Sequence, residues 1–464
     1  MTRLLSLTLS RIGLLIAVAI LVAIPASAQQ FTFHALHDFV GSDGAFPFGN
    51  LITDSAGNIY GVAGAGGIQN SAGCAGYQYI QTSYCGAVFQ LTKTASGGYT
   101  FHILHQFTGG SDGGSPFAGL TLDSAGNLYG TAAFGGSCPN FYGCGVVYEL
   151  SPTTSGPWTE TVLYSFQGGD DGGTPESQMV FDAAGNLYGT TEGGGSGFCG
   201  LGAPCGIVFE LSPTESGAWT ETVLYSFTSE SDGMEPQGPL VRDVDGNLFG
   251  TTPIGGSVGN NCGYPYYGCG TVFKIFHTAW GWEKATLYTF LGGTDGAAPR
   301  GGVTLESTGH LYGTAEQGGN PNGCVNNQNP GCGVVFELRR AAGGGIWAQQ
   351  VIATFEPDAD GNPGPTGGSP AGSLVFDSAG NIYGTVLQGG VRGSGVVFKL
   401  SKRTATKWNE TELYSFNGGG QGAGPVSNLL VDPTGNLFGT TIAGGKTSDK
   451  YCSGTCGLVF ELKP

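Results

Sequence analysis

Beyond its first 28 residues the chain alternates apolar and polar positions in short runs, each bounded by Gly, Pro or Asp. Stretches such as "GVVYEL" (145–150), "GIVFEL" (206–211) and "WTETVLYSF" (158–166) are dense in Val, Ile, Tyr, Phe and Trp. Runs of that composition and length between turn residues predict β-strands. No segment after residue 28 carries the i, i+3, i+4, i+7 spacing of an amphipathic helix.

The runs recur as a unit. A kernel reading "GNLYG", "GNIYG", "GNLFG" or "GHLYG" is centred on Gly57, Gly126, Gly185, Gly246, Gly309, Gly380 and Gly435. The copies are about 63 residues apart, too long for a β-helix rung and right for a propeller blade of four strands. A first strand runs from a proline to an acid, as in Pro47/Asp54, Pro175/Asp182 and Pro299/Glu306. The kernel opens a second strand and "GVVFEL" (333–338) represents a third. A fourth ends in Phe eight residues after an aromatic, as in Trp158/Phe166 and Trp219/Phe227.

The order of pieces at the two ends predicts how the units close. The chain begins with a fourth strand, "FTFHALHDF" (31–39), and ends with a third, "GLVFEL" (457–462). An open solenoid gains nothing from such a split, whereas a ring is locked by it. The expected fold is therefore all-β: a seven-bladed β-propeller of four-stranded blades, closed by strand 31–39 completing the last blade. Residues 29–464 would form one domain, although a chain this long ordinarily divides into two or three.

Within that frame "DAAGN" (182–186) reads as a hairpin turn. Asp starts a type I turn, Gly takes the left-handed position, and the following aromatic packs between blades. A phosphate cradle would need a helix after the glycines, and a strand follows instead.

Composition adds a compartment. Residues 1–28 carry Arg3 and Arg11, an apolar run over 12–24 and small residues before Gln29. This is the pattern of a secretory signal peptide cut after Ala28, and the run is short of the about 20 residues of a membrane span. Its removal leaves 15 basic against 34 acidic residues. So acidic a chain is a poor partner for nucleic acid or an anionic membrane. A secreted or periplasmic monomer without a membrane span is expected.

The 12 cysteines fall in six close pairs between strands two and three: Cys74/Cys85, Cys138/Cys144, Cys199/Cys205, Cys262/Cys269, Cys324/Cys332 and Cys452/Cys456. In an exported protein this reads as one local disulfide per loop, absent only from the sixth unit. Zinc would want four ligands, and each loop offers two thiols without a nearby histidine.

Candidate site residues are few. An Asp-Gly precedes strand one at Asp43, Asp112, Asp171, Asp232, Asp295 and Asp360, with Gln421 in the seventh place. Six carboxylates circling the channel mouth would suit a polyvalent ligand or Ca²⁺, while Asp-Gly is equally a turn signal. The longest of these loops, "FEPDADGNPGPTGGSP" (355–370), alternates Asp358, Asp360 and Asn362 in a partial Ca²⁺-loop pattern. His34, His37, His102 and His105 lie on two fourth strands; positions three apart point to opposite faces, so packing is favoured over a shared metal. His37 and His105 stand where other units have the Tyr of "LYSF". In unit five Glu306 and His310 replace the hairpin Asp and Asn. No H-E-x-x-H, G-x-S-x-G or Walker-type loop occurs, and no catalytic residue is nominated.

The repeat "GNLYGTT…GG…GVVFEL…LYSF", in fixed register over residues 31–462, resembles the GloVer (choice-of-anchor) tandem-repeat family of exported bacterial proteins. The resemblance implies export and a repeat fold and carries no reaction. Members end in varied surface anchors, and with the sequence reading "GLVFELKP" at its last repeat strand none is expected here. The expectation is a non-catalytic binding propeller for carbohydrate or another cell-surface polymer, with Ca²⁺ as the candidate cofactor. The alternative is a secreted carbohydrate-active hydrolase or lyase, which would need unlike acids converging at the channel mouth.

Overall fold

The computed structural model describes residues 31–68, 85–138, 144–154, 156–197, 199, 205–228, 231–256, 262, 268–320, 323–324, 331–340, 345–404, 406–445, 452 and 456–464. The expected signal peptide and Cys74 lie outside them. The fold is an all-β ring of seven four-stranded antiparallel sheets. Blade 3 is representative, with strands Val180–Phe181, Leu187–Thr191, Ile207–Pro213 and Trp219–Ser226. Blades 1 to 6 are continuous in sequence. Blade 7 takes Leu430–Val431, Leu437–Thr441 and Leu458–Lys463 from the C-terminal end and Thr32–Asp38 from the N-terminal end. The closing register pairs Thr32 with Lys463 and Asp38 with Leu458, as the split repeat predicts.

Strand one is shorter than the Pro-to-Asp spacing suggests. Regular pairing covers only two or three residues per blade, and a single bridge such as Gly173↔Gly193 continues it after a gap. The cause is at its start. Proline lacks the N–H that a ladder needs. The residue before it is left-handed: Phe46, Ser115, Thr174, Glu235, Ala298 and Ser369 have φ between 53° and 57°, and Gly424 takes 66°.

These residues splice each blade to the previous one. Their backbone N–H groups donate to the carbonyls of Cys456, Cys85, Cys144, Cys205, Cys269 and Cys332 at 2.7–3.0 Å. Ser394 substitutes in cysteine-free blade 6, accepting from Gly424 at 2.9 Å. The glycine after each of these residues packs on the next proline; a Cβ on Gly145 would stand 2.4 Å from Pro175 Cδ. Five pairs form disulfides: Cys138–Cys144, Cys199–Cys205, Cys262–Cys269, Cys324–Cys332 and Cys452–Cys456. Cys85 is also disulfide-bonded.

The core is a series of aromatic seams between blades. The Phe ending strand four is fully buried and meets the strand-three aromatic of the next blade edge-on, as in Phe166–Phe209 at 5.3 Å and Phe107–Tyr148 at 5.0 Å. The kernel aromatic meets the next blade's strand-four aromatic: Tyr60–Trp158, Tyr188–Trp282, Tyr312–Trp408 and, across the closure, Phe438–Tyr99. Such edge contacts add about 0.5–1.5 kcal/mol each beyond burial.

The kernel itself is a hairpin. Gly185 N–H donates to Asp182 O and Asp182 N–H to Asn186 O, with Gly185 at φ 89°. Asp182 Oδ1 accepts from the backbone of Ala184 and Asn186, and Oδ2 from Asn186 Nδ2 and Tyr188 Oη.

Candidate site at the channel mouth

The loops from strand four to strand one and from strand two to strand three share one face, joined by bonds such as Gly67 N–H to Gly41 O at 2.8 Å. The Asp-Gly residues are on this face but are not among the residues that line the central cup. Each carboxylate folds back on its own loop and on strand four. Asp171 accepts from Gln167 N–H at 2.8 Å and Tyr164 Oη at 3.1 Å. Asp232 and Asp295 repeat this with Tyr225 and Tyr288. In blades 7 and 1 the partners are histidines: His37 Nε2 is 3.0 Å from Asp43 and His105 Nε2 is 3.7 Å from Asp112. His37 also stacks on Phe101, with centroids 3.6 Å apart. Histidine thus replaces tyrosine as the polar tip facing the loop carboxylate.

Asp360 does not belong to the series. The loop position equivalent to Asp-Gly in blade 6 is Thr366-Gly367, because Gly368 makes the bridge to Gln388 that Gly173 makes to Gly193. The carboxylates in register are therefore five rather than six. Asp358-Ala-Asp-Gly-Asn362 is instead a further copy of the kernel hairpin. Asp358 Oδ1 accepts from Asp360 N–H and Asn362 N–H at 2.9 Å, and Gly361 N–H donates to Asp358 O. The alternation that suggested Ca²⁺ is thus also the signature of this turn. Among the described residues, no three His, Cys, Asp or Glu are grouped so as to hold a metal.

Glu306 and His310 also have defined work. His310 Nδ1 lies 3.0 Å from Oε1 of fully buried Glu337, Tyr312 Oη donates to the same atom at 2.7 Å, and Arg339 donates to Oε2 at 2.7 Å. Burial alone would raise the Glu337 carboxyl; the hydrogen bonds and charge of Arg339, with Tyr312 and His310, hold it below its ordinary value. In blade 5 the kernel tyrosine has exchanged its hairpin carboxylate for this one.

The unlike side chains converge elsewhere, at the residue after each blade's proline. Those seven positions are Phe48, Phe117, Glu176, Gln237, Arg300, Ala371 and Val426, and all seven line the channel. Two layers further in, Asn50, Gln178, Ser373 and Asn428 close the channel. Asn50 Nδ2 donates across it to Gln178 Oε1 at 2.9 Å, and Asn428 N–H donates to Asn50 Oδ1 at 2.9 Å. Ser373 N–H donates to Asn428 and its hydroxyl to the Gly301 carbonyl. A polar plug therefore floors a cup of about 120 Å³.

The wall of the cup is two-sided. Blades 1 and 2 supply Phe48 and Phe117, edge-on at 5.7 Å. Blades 3 to 5 supply Glu176, Gln237 and Arg300, with Glu192 and Glu235 beside Glu176 and Glu316 bonded to Arg300 behind them. Arg300 Nε donates to Glu316 at 2.9 Å and its Nη1 to Gln237 at 2.7 Å. Glu176 is partly accessible from the channel as a residue, yet its Oε1 is buried without a hydrogen-bond partner. Burial, then the charge of Glu192, pushes Glu176 well above its ordinary value, with Arg300 opposing. Burial and the charge of Glu235 push Glu192 up to about 7, although Gln237 hydrogen-bonds it. Glu235 is raised by burial, and it is held at φ 56°. Sequence reading missed this cluster because it looked for repeated acids. Aligning the blades on their strand-one prolines shows its two lining charges, Glu176 and Arg300: the other five residues after those prolines are uncharged.

Comparison with known proteins gives a family. No curated protein matches the chain. Among solved structures, it is similar at 13% identity to a protein of Thermus thermophilus described as an oxidoreductase (glucose dehydrogenase). That match covers 93% of this chain and 100% of the other, with a TM-score of 0.39. It is similar at 8% identity to a protein of unknown function from Dyadobacter fermentans, covering 93% and 99%, with a TM-score of 0.45. The Gloeobacter/Verrucomicrobia repeat matches residues 74–325 and 266–464, and the chain belongs to that repeat family.

Proposed function

We propose that this is an exported binding propeller that holds carbohydrate or another cell-surface polymer at the channel mouth. The observation that carries the reading is the two-sided cup, with paired phenylalanines facing carboxylates of adjacent blades. Aromatic faces suit the C–H face of a sugar ring, and buried carboxylates suit its polar substituents. The six-membered set of polar groups breaks the sevenfold repeat, as a site for an unlike ligand requires. Co-sedimentation of the protein with insoluble polysaccharides tests this, beside Glu176→Gln and Phe117→Ala. Retention lost in both variants supports the mouth as the site; retention unchanged in both removes it.

A second reading is a carbohydrate-active enzyme, favoured by one observation. Glu192, near 7 beside other carboxylates, has the protonation range of a general acid. Reducing-end assays on the same supernatants separate the two readings. Released sugar that disappears with Glu192→Gln would make the protein a hydrolase or lyase.

A further inference from the structure

Resting on the carbohydrate reading, we infer that the cup is specific for a sugar bearing a free primary amine, taken as its ammonium ion between Glu176, Glu192 and Glu235. Three observations on the mouth lead there. The first is charge: Arg300 is the cation of the cluster, and Glu316 is bonded to it at 2.9 Å, so three carboxylates remain without a cationic partner of their own. The second is the unpartnered, buried Oε1 of Glu176, a lone acceptor on the channel wall. An unpaired buried acceptor is costly, and an N–H donor relieves that cost. The third is size. A cup of about 120 Å³ is smaller than the roughly 300–1,000 Å³ of a site that swallows a whole ligand. It admits a substituent, with the ring lying over Phe48 and Phe117 above the plug. An acetamide would bring no positive charge and would add bulk.

Binding is then linked to protons. Glu176 and Arg300 line the cup, and the charged groups next to them are Glu192, Glu235 and Glu316. An arriving ammonium favours the ionised carboxylates, so carboxylate protons are released on binding, and binding tightens as pH rises through the range where the carboxylates ionise, for as long as the amine keeps its own proton.

The test is calorimetric titration of the full protein with glucosamine tetramers and with their fully N-acetylated counterparts. At pH 7 the amine form should bind at least tenfold tighter, with net proton release seen as different heats in phosphate and Tris buffers. Glu176→Gln should abolish the preference, whereas non-specific attraction of a polycation to this acidic chain would survive one neutralisation. Equal affinity for both tetramers overturns the amine inference and leaves the carbohydrate reading standing. Binding of neither overturns both. Spermidine bound as tightly as the amine tetramer would show a general cation site and overturn the sugar specificity. The comparison of tetramers uses the unaltered protein, so a misfolded variant cannot obscure it.

Discussion

The backbone N–H of Thr174 donates to the carbonyl oxygen of Cys144 at 2.9 Å, tying the start of blade 3 to the disulfide of blade 2. Thr174 holds φ 55° to make that bond, and Gly145 leaves room for Pro175 behind it. Gly145→Ala should therefore destabilise by about 2 kcal/mol or more, through both the clash and φ 89°. Ala298→Gly relieves the same strain two seams further round. It should range from neutral to about 1 kcal/mol stabilising, the relief being offset by glycine entropy. Thermal melts of both variants check the pair, and a large loss for Ala298→Gly would contradict the account.

The disulfides should matter locally. Replacing Cys138 and Cys144 together by Ser should cost about 2 kcal/mol on the chain-entropy account of a short loop. Melts with and without reductant should separate by more than the single-staple variant does. An unchanged melt in reductant would mean the junction bonds hold without their cystines.

Stability should decline as pH rises through the weakly acidic range. Burial and then Asp171 push Glu221 up to about 7, and burial pushes Glu410 up to about 7, from an ordinary 4.5. The folded chain keeps these protons after the unfolded chain has released them. Their contribution is whole below about 4.5, falls between 4.5 and about 7, and is level above. Glu221→Gln should flatten the slope and raise the melting temperature at pH 8 more than at pH 5. Equal shifts at the two pH values would refute the assignment.

The hairpin aspartates give the opposite limb. Burial would raise Asp182, but hydrogen bonds from Asn186, Tyr188 and Ala184 hold it below 3.8. Its stabilisation is present above that value and is lost as pH falls through the lower folded value. Asp182→Ala removes four hydrogen bonds at a half-exposed turn and should cost about 1–3 kcal/mol. Chemical denaturation at pH 6 measures it, and the deficit should narrow near pH 3.

In blade 7, His37→Tyr should preserve the bond to Asp43 that tyrosines make in blades 2 to 4, so stability should change by less than about 1 kcal/mol. Asp43→Ala, which orphans that tip and the Val40 N–H, should cost more. Melts of the two variants at neutral pH rank them.

Much of this was legible in the chain because each repeated residue has a repeated partner. Pro175 repeats because Gly145 packs on it, Trp282 because Tyr188 packs on it, and the closure because "FTFHALHDF" lacks the rest of its blade. The hairpin at Asp182 followed from turn chemistry alone. What sequence missed lacked that redundancy. Asp360 carries the Asp-Gly spelling, although Thr366-Gly367 holds the loop position and Gly368 makes the loop bridge one hairpin later. Glu176, Glu192, Glu235 and Arg300 are distant in sequence, and only curvature of the ring brings them to one sector.

The closing strand also imposes a schedule. Thr32–Asp38 is made first and its partner Leu458–Lys463 last, so a nascent chain can complete six blades while its leading strand waits unpaired. Such a strand is a free edge, open to pairing with another copy until the ring shuts. Because loop closure grows only slowly dearer with length, the wait is mainly one of time rather than of equilibrium. A circular permutant cut between blades 7 and 1, keeping every bond of the finished ring, should remove that wait and refold faster at the same final stability.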